Sequence, residues 1–226
     1  MRIFIRADAH PNVGMGHVMR CLSIADALKK AGHDVKFILA DNSVTGLIQE
    51  RGFETIVLGT DYKHMEAELA SWAKIEVGGK VKKAEQAGTT DNTKKADAII
   101  VDSYFVTAPY LKAIKRQHCK KLIYIDDLAS FPYPVDILIA YNAYADIKTY
   151  QKLYGTTDTT RLPCIIIGPQ YAPLREMFQG ITPRQQNEVV KEVLVSTGGA
   201  DFLHLALQFL QYPSLPENFT LIAEIK

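Results

Sequence analysis

The 226-residue sequence predicts an α/β fold, a doubly wound parallel sheet followed by the beginning of a second unit of similar texture. Two observations carry this. Short, almost continuously apolar runs of strand length alternate with segments of helical periodicity, the pattern of a sheet covered on both faces. The first such unit reads strand, loop, helix, strand, and a βαβ unit pairs its strands in parallel with a right-handed crossover.

Taken in order, residues 2–6 form a strand, and a loop containing Gly and Pro runs from Asp8 to Gly16. The spacing of Val18, Cys21, Leu22, Ala25 and Leu28 predicts a helix over 17–31 with one buried face. Gly32 stands where a C-terminal cap belongs, and Lys29 and Lys30 suit the negative end of the helix dipole. A strand over 35–40 closes the unit. A short helix over 43–51, a strand over 54–58 and a helix over 63–73 follow. The strand over 98–102 ends in Asp102, and the helix over 109–117 carries Pro109 in its first turn. Further strands are read at 121–125, 136–140 and 164–167. In such a sheet ligands gather at the carboxyl ends of the strands, where Asp8, Asp102, Asp126 and Asp127 would stand.

Residues 77–96, with Gly78, Gly79, Gly88 and several Lys, read as a polar surface insertion. A boundary near 178–188 gives an N-terminal domain over 1–180 and the start of a second over 188–226. In the second, 193–199 gives a strand and glycine turn, 202–210 a helix and 220–225 a strand. Two strands and one helix do not complete a doubly wound domain, so a truncated one is expected.

Composition narrows the classes. Hydrophobic content of 47% and charged content of 23% are those of a globular chain. A net charge of +1 supplies no basic field for nucleic acid or an anionic membrane. No run approaches the roughly 18 apolar residues of a membrane span, and the N-terminus lacks a signal-peptide pattern. Cys21, Cys119 and Cys164 fit neither a disulfide framework nor a zinc site, which suits reduced thiols in the cytoplasm.

The sharpest local feature is Gly14-Met15-Gly16-His17-Val18-Met19-Arg20, directly after the first strand. The glycines permit positive φ and close ligand approach, and free N–H groups at the helix start favour an anion such as a diphosphate. It is not the dinucleotide fingerprint, because the third glycine is missing. The positive helix end is expected to keep His17 neutral and able to take a proton. A capping or packing histidine fits the spacing equally well. Arg20 shares a helical face with His17 and pairs with either a phosphate or a carboxylate such as Asp8; the spacing does not choose. Tyr104 reads as substrate contact or rim aromatic. Asp126 and Asp127, being adjacent, point apart and make no metal pair. Gly198, Gly199 and Asp201 form a second glycine turn that faces a phosphate or merely turns the chain.

These blocks resemble a known family. Ile5-Arg6-Ala7-Asp8 with Gly14 to Leu22, Val101-Asp102-Ser103-Tyr104, and Ile125-Asp126-Asp127 match the UDP-2,4-diacetamido-2,4,6-trideoxy-β-L-altropyranose hydrolases of the pseudaminic acid pathway. So do 136–139, 142–145, 168–175 and 196–201, all in order. The resemblance implies a glycosyltransferase-B-like fold with substrate between two Rossmann-like halves. It implies release of UDP from the anomeric carbon by water, without metal or other cofactor. His17 matches the family's catalytic base and Tyr104 its active-site tyrosine. Ala140 stands where members often carry Asn, and the family's nucleotide-contacting segment has no counterpart here. The other readings are a glycosyltransferase of the same fold and a non-catalytic nucleotide-sugar-binding module.

Overall fold

The computed structural model describes residues 1–10, 14–75, 95–182, 185, 188–190, 192–196, 204–211 and 220–223. Seven parallel strands form one sheet: β1 (Arg2–Ala7), β2 (Asp34–Leu39), β3 (Glu54–Val57), β4 (Ala96–Asp102), β5 (Cys119–Ile125), β6 (Ile137–Ala140) and β7 (Cys164–Ile167). Their order is β3-β2-β1-β4-β5-β6-β7. The chain winds outward from β1 to β3, then returns to place β4 on the other side of β1. That reversal makes a crevice at the carboxyl ends of β1 and β4.

The apolar strands serve two cores at once. Ile3, Ile5 and Ala7 of β1, with Ala98 and Ile100 of β4, pack against Val18, Cys21, Leu22 and Ala25 of α1 (Gly16–Lys30) and Ile48 of α2 (Thr45–Glu50). The alternate residues Phe4, Ile99 and Val101 face the opposite layer. There they meet Trp72 of α3 (Leu69–Trp72), Tyr110, Leu111 and Ile114 of α4 (Ala108–Gln117), and Tyr150 of α5 (Ile147–Tyr154). A fully buried Ile or Phe contributes about 1.5–3 kcal/mol, so burial of both strand faces rewards unbroken apolar runs.

Local signals set the ends of the helices. Gly32, at φ +80°, donates its N–H to Lys29 O (3.0 Å), and His33 N–H reaches Leu28 O (3.1 Å), a Schellman closure of α1. Thr107 caps α4, accepting from Tyr110 N–H, and Pro109 lies in the first turn.

Two sequence readings are corrected, and one helix was not read from the sequence. The helix expected over 63–73 is a 3₁₀ turn, Met65–Glu68, followed by the single turn of α3, because both Met65 and Glu68 turn inward. Residues 95 and 96 do not belong to the insertion: Ala96 opens β4, paired with Cys119. Helix α5 was unforeseen; Tyr150, Leu153 and Tyr154 mark its inner face over only eight residues. The rest of the expected insertion lies outside the described residues. A separate two-stranded parallel sheet joins β8 (Glu192–Val195) to β9 (Thr220–Ala223), with α6 (Leu205–Leu210) between them in sequence.

Candidate active site

The crevice between β1 and β4 gathers a histidine, an arginine and two aspartates. The register pairs Ala7 of β1 with Asp102, the last residue of β4. His17 lies in the first turn of α1, so the chain leaving β1 brings the imidazole over the end of β4. His17 Nδ1 and Asp102 Oδ1 are 2.6 Å apart. A carboxylate only accepts, so Nδ1 carries the hydrogen, and Nε2 is the nitrogen through which the ring can exchange a proton.

Arg20, one turn further along α1, locks this pair. Its Nε and Nη2 donate to Oδ2 and Oδ1 of Asp102, each at 2.5 Å, in a bidentate clasp. Its Nη1 donates to Asp127 Oδ2 (2.7 Å) and to the Tyr141 hydroxyl (2.6 Å). Arg20 Nη2 also lies 3.1 Å from His17 Nδ1, but both atoms are donors, so this is a contact and not a bond. The Cys21 thiol donates to Asp102 Oδ2 at 3.4 Å. Burial pushes that thiol well up, which keeps its proton in place. Burial also pushes the Asp102 carboxyl up, but hydrogen bonds and charge from Arg20 and His17 outweigh it and hold the carboxyl below its ordinary value. Asp102 is therefore a fixed anion under the ring.

Tyr104, 46% exposed, meets the His17 ring edge-to-face at 4.4 Å and donates its hydroxyl to Asp127 Oδ2 (3.2 Å). Burial, then the Asp127 charge and hydrogen bond, push this phenol up to about 12, so it stays protonated near neutral pH. Asp127 Oδ1 accepts from Asn142 Nδ2 (2.9 Å), and its backbone carbonyl accepts from the Tyr144 hydroxyl (3.2 Å). Asp126 points the other way. Buried, it accepts from the Tyr133 and Tyr150 hydroxyls, both at 2.8 Å, and from the N–H groups of Leu128 and Ala129.

Among the residues singled out from sequence, the structure brings His17, Arg20 and Tyr104 together, with Gly14 and Gly16 beside them. Gly14 sits at φ +79° with its N–H bonded to His10 O (2.8 Å), a turn that disfavours a side chain. A Cβ on Gly16 would meet no atom within 4 Å, so its lack of side chain answers no crowding from the protein itself. No side chain caps α1, whose N-cap is Met15. Asp8 stands apart: its Oδ1 accepts Ala40 N–H (2.7 Å) and its Oδ2 pairs with Arg6. Gly198, Gly199 and Asp201 lie outside the described residues. Asn142, Tyr141 and Tyr144 received no role from residue spacing, because polar and aromatic residues after a strand are common rim features.

A cavity of about 200 Å³ adjoins Asp127, between the loop after β5 and the start of α5. A larger one, about 500 Å³, lies by the amino ends of β6 and β7 beside Lys112, Lys115, Arg116 and Arg161, far from His17 along the strands. Among the described residues no cluster of His, Cys, Asp or Glu is arranged to hold a metal ion, and no helix is long and apolar enough to cross a membrane.

No protein-family model matches the chain. An uncharacterized protein of Methanocaldococcus jannaschii is 28% identical over 93% of this chain. A UDP-2,4-diacetamido-2,4,6-trideoxy-beta-L-altropyranose hydrolase of Campylobacter jejuni is 26% identical over 92% of it. The chain spans 39% and 64% of the lengths of these relatives, respectively.

Proposed function

We propose that the chain carries the catalytic-base half of a nucleotide-sugar hydrolase, acting on a UDP-linked 2,4-diacetamido-trideoxy sugar in nonulosonic acid synthesis. One observation carries this reading: a histidine at the topological switch point whose Nδ1 is held 2.6 Å from a buried, anionic Asp102. The distant resemblance to a UDP-sugar hydrolase supplies the substrate class.

In the proposed reaction His17 Nε2 takes a proton from water as the water oxygen attacks the anomeric carbon. The bond from that carbon to the β-phosphate oxygen breaks, and its electron pair leaves with UDP. Asp102 stabilises the imidazolium as it forms, and Arg20 keeps Asp102 in register. A single direct displacement inverts the anomeric centre. The N–H groups of the first turn of α1, from Gly16 onward, suit the diphosphate, Gly14 shapes the turn before them, and the role of Gly198, Gly199 and Asp201 in binding it rests on the family resemblance alone. Asp8 shapes the loop rather than touching substrate. The reaction needs no cofactor, the setting is the cytoplasm, and the whole enzyme is two Rossmann-like halves around the cleft.

The test is release of UDP from the UDP-diacetamido sugar with no acceptor present. The His17→Ala protein is expected to turn over about 100 to 10,000 times more slowly, the range of a general base. Near-wild-type turnover by that variant removes His17 from the mechanism, and a strict need for an acceptor sugar makes the protein a transferase.

A further inference from the structure

The cavity beside Asp127 has the size, charge and donor pattern of a subsite for one substituent of a sugar. Its volume of about 200 Å³ falls short of the roughly 300–1,000 Å³ of pockets that engulf a whole ligand. Tyr104, whose hydroxyl is bonded to Asp127 of the lining, lies against the His17 ring, so the cavity and the imidazole share a neighbour.

Its chemistry is selective. Asp127 and Asp146 both line it, so a phosphate or carboxylate there would meet like charge. Asp127 Oδ1 accepts one hydrogen of Asn142 Nδ2, which fixes the orientation of that amide. The second hydrogen of Nδ2 remains a donor, beside an acceptor carboxylate. A donor and an acceptor side by side complement a secondary amide, which offers an N–H and a C=O. Ala145 and Leu128, also in the lining, supply apolar surface for a methyl group. Tyr104 and Tyr144, exposed by 46% and 75%, flank Asp127 with aromatic faces suited to the C–H surface of a pyranose.

The wall is built rather than incidental. Ala129, a residue with a Cβ, is held at φ +48°, and its N–H is bonded to both oxygens of the buried Asp126 (3.1 Å each). Such a conformation persists only where its surroundings over-determine it. The Tyr133 and Tyr150 hydroxyls on the same carboxylate do so here.

We propose that this cavity is an acetamido subsite, in which Asp127 and Asn142 read the amide of an N-acetylated sugar and so set both specificity and the direction in which the substrate lies. The inference rests on the hydrolase reading above for the identity of the sugar. It orients the substrate with its N-acetyl side toward α5 and its diphosphate toward the first turn of α1.

The test uses free 2,4-diacetamido-2,4,6-trideoxy-L-altropyranose and its 2,4-dihydroxy counterpart as probes, read by saturation-transfer NMR. Thr149→Trp fills the cavity from an exposed position of α5 that takes no part in the proposed chemistry; circular dichroism checks its fold. The acetyl methyl protons are expected to receive saturation from the wild-type protein, the dihydroxy sugar to bind about tenfold or more weakly, and Thr149→Trp to lose the preference. Equal binding of the two sugars, no binding of either, or a preference retained in Thr149→Trp overturns the subsite. These outcomes are separable from the mechanism. A slow His17→Ala with an indifferent Thr149→Trp sinks the subsite alone, whereas an intact acetyl preference with a fast His17→Ala sinks the hydrolase reading alone.

Discussion

Two arginines, one buried in β1 and one half-buried in α1, show how similar chemistry makes a brace in one place and a candidate active site in another. Arg6 is fully buried and donates through Nε and Nη2 to Glu68, itself fully buried, with Nη1 turned to Asp8. Tyr110 and Trp72 close the other side by donating to Glu68 Oε1 (2.7 and 3.1 Å). Every partner is a fixed donor or acceptor, and the cluster ties β1 to the 3₁₀ turn and to α4. Arg20 is likewise clasped by carboxylates, yet its cluster includes an imidazole and, through Asp127, borders a cavity. Buried charge at the carboxyl ends of strands is thus no mark of catalysis. An imidazole, itself buried, in a cluster that reaches a cavity through Asp127 is what sets the second cluster apart.

The contrast can be broken at both ends. Asp102→Asn keeps the shape of the second cluster but removes the anion that aims and stabilises the ring, and turnover should fall by about two to four orders of magnitude. The same change should alter acid behaviour. Because Asp102 is held below its ordinary pKa, the stability it contributes is fully present above the unfolded-state carboxylate value of about 3.9. It is lost as pH falls through the lower folded value. Acid titration followed by circular dichroism should show the wild type losing more stability than Asp102→Asn in that range, and parallel curves would contradict the pairing.

Glu68→Leu strikes the first cluster and should do the reverse, lowering stability by about 3–5 kcal/mol because the buried Arg6 keeps only Asp8 and its Nε and Nη2 donors lose their partner. Denaturant unfolding measures this. Adding Arg6→Met should restore much of the loss, and activity per folded molecule should change little. A Glu68 variant that stays stable yet fails in turnover would erase the distinction between the two arginines. The smallest effect is expected for Tyr104→Phe. It keeps the ring against His17 and removes one partly exposed hydrogen bond, so KM should rise on the order of 3- to 10-fold with kcat nearly unchanged.

The sequence made the sheet legible because its strands are buried on both faces, and Phe4 or Ile99 could not have been polar. It left the helix between β3 and β4 misread, since Glu68 looks like a surface residue until Arg6 is placed opposite it. The partners of Arg20 were equally hidden. Asp102 and Asp127 lie 82 and 107 residues away, and only the adjacency of β1, β4 and β5 brings them in. By contrast, that Asp126 and Asp127 diverge follows from the alternation of strand side chains, although nothing local says which of them faces the crevice. His17 was visible because glycines bracket it; its aim was not, because Asp102 comes from the next strand of the sheet and not from the next stretch of chain.

The strand order has one more consequence, for the time at which the site comes into being. His17 and Asp102 are 85 residues apart and meet only when β4 docks beside β1, after the chain has gone out to β3 and back. A folding intermediate with β1, α1, β2 and β3 in place would own the imidazole without its anchor. Closing the sheet at its centre is therefore the event that arms the ring, and a cut in the segment between β3 and β4 that lets the halves part would disarm it without touching either residue.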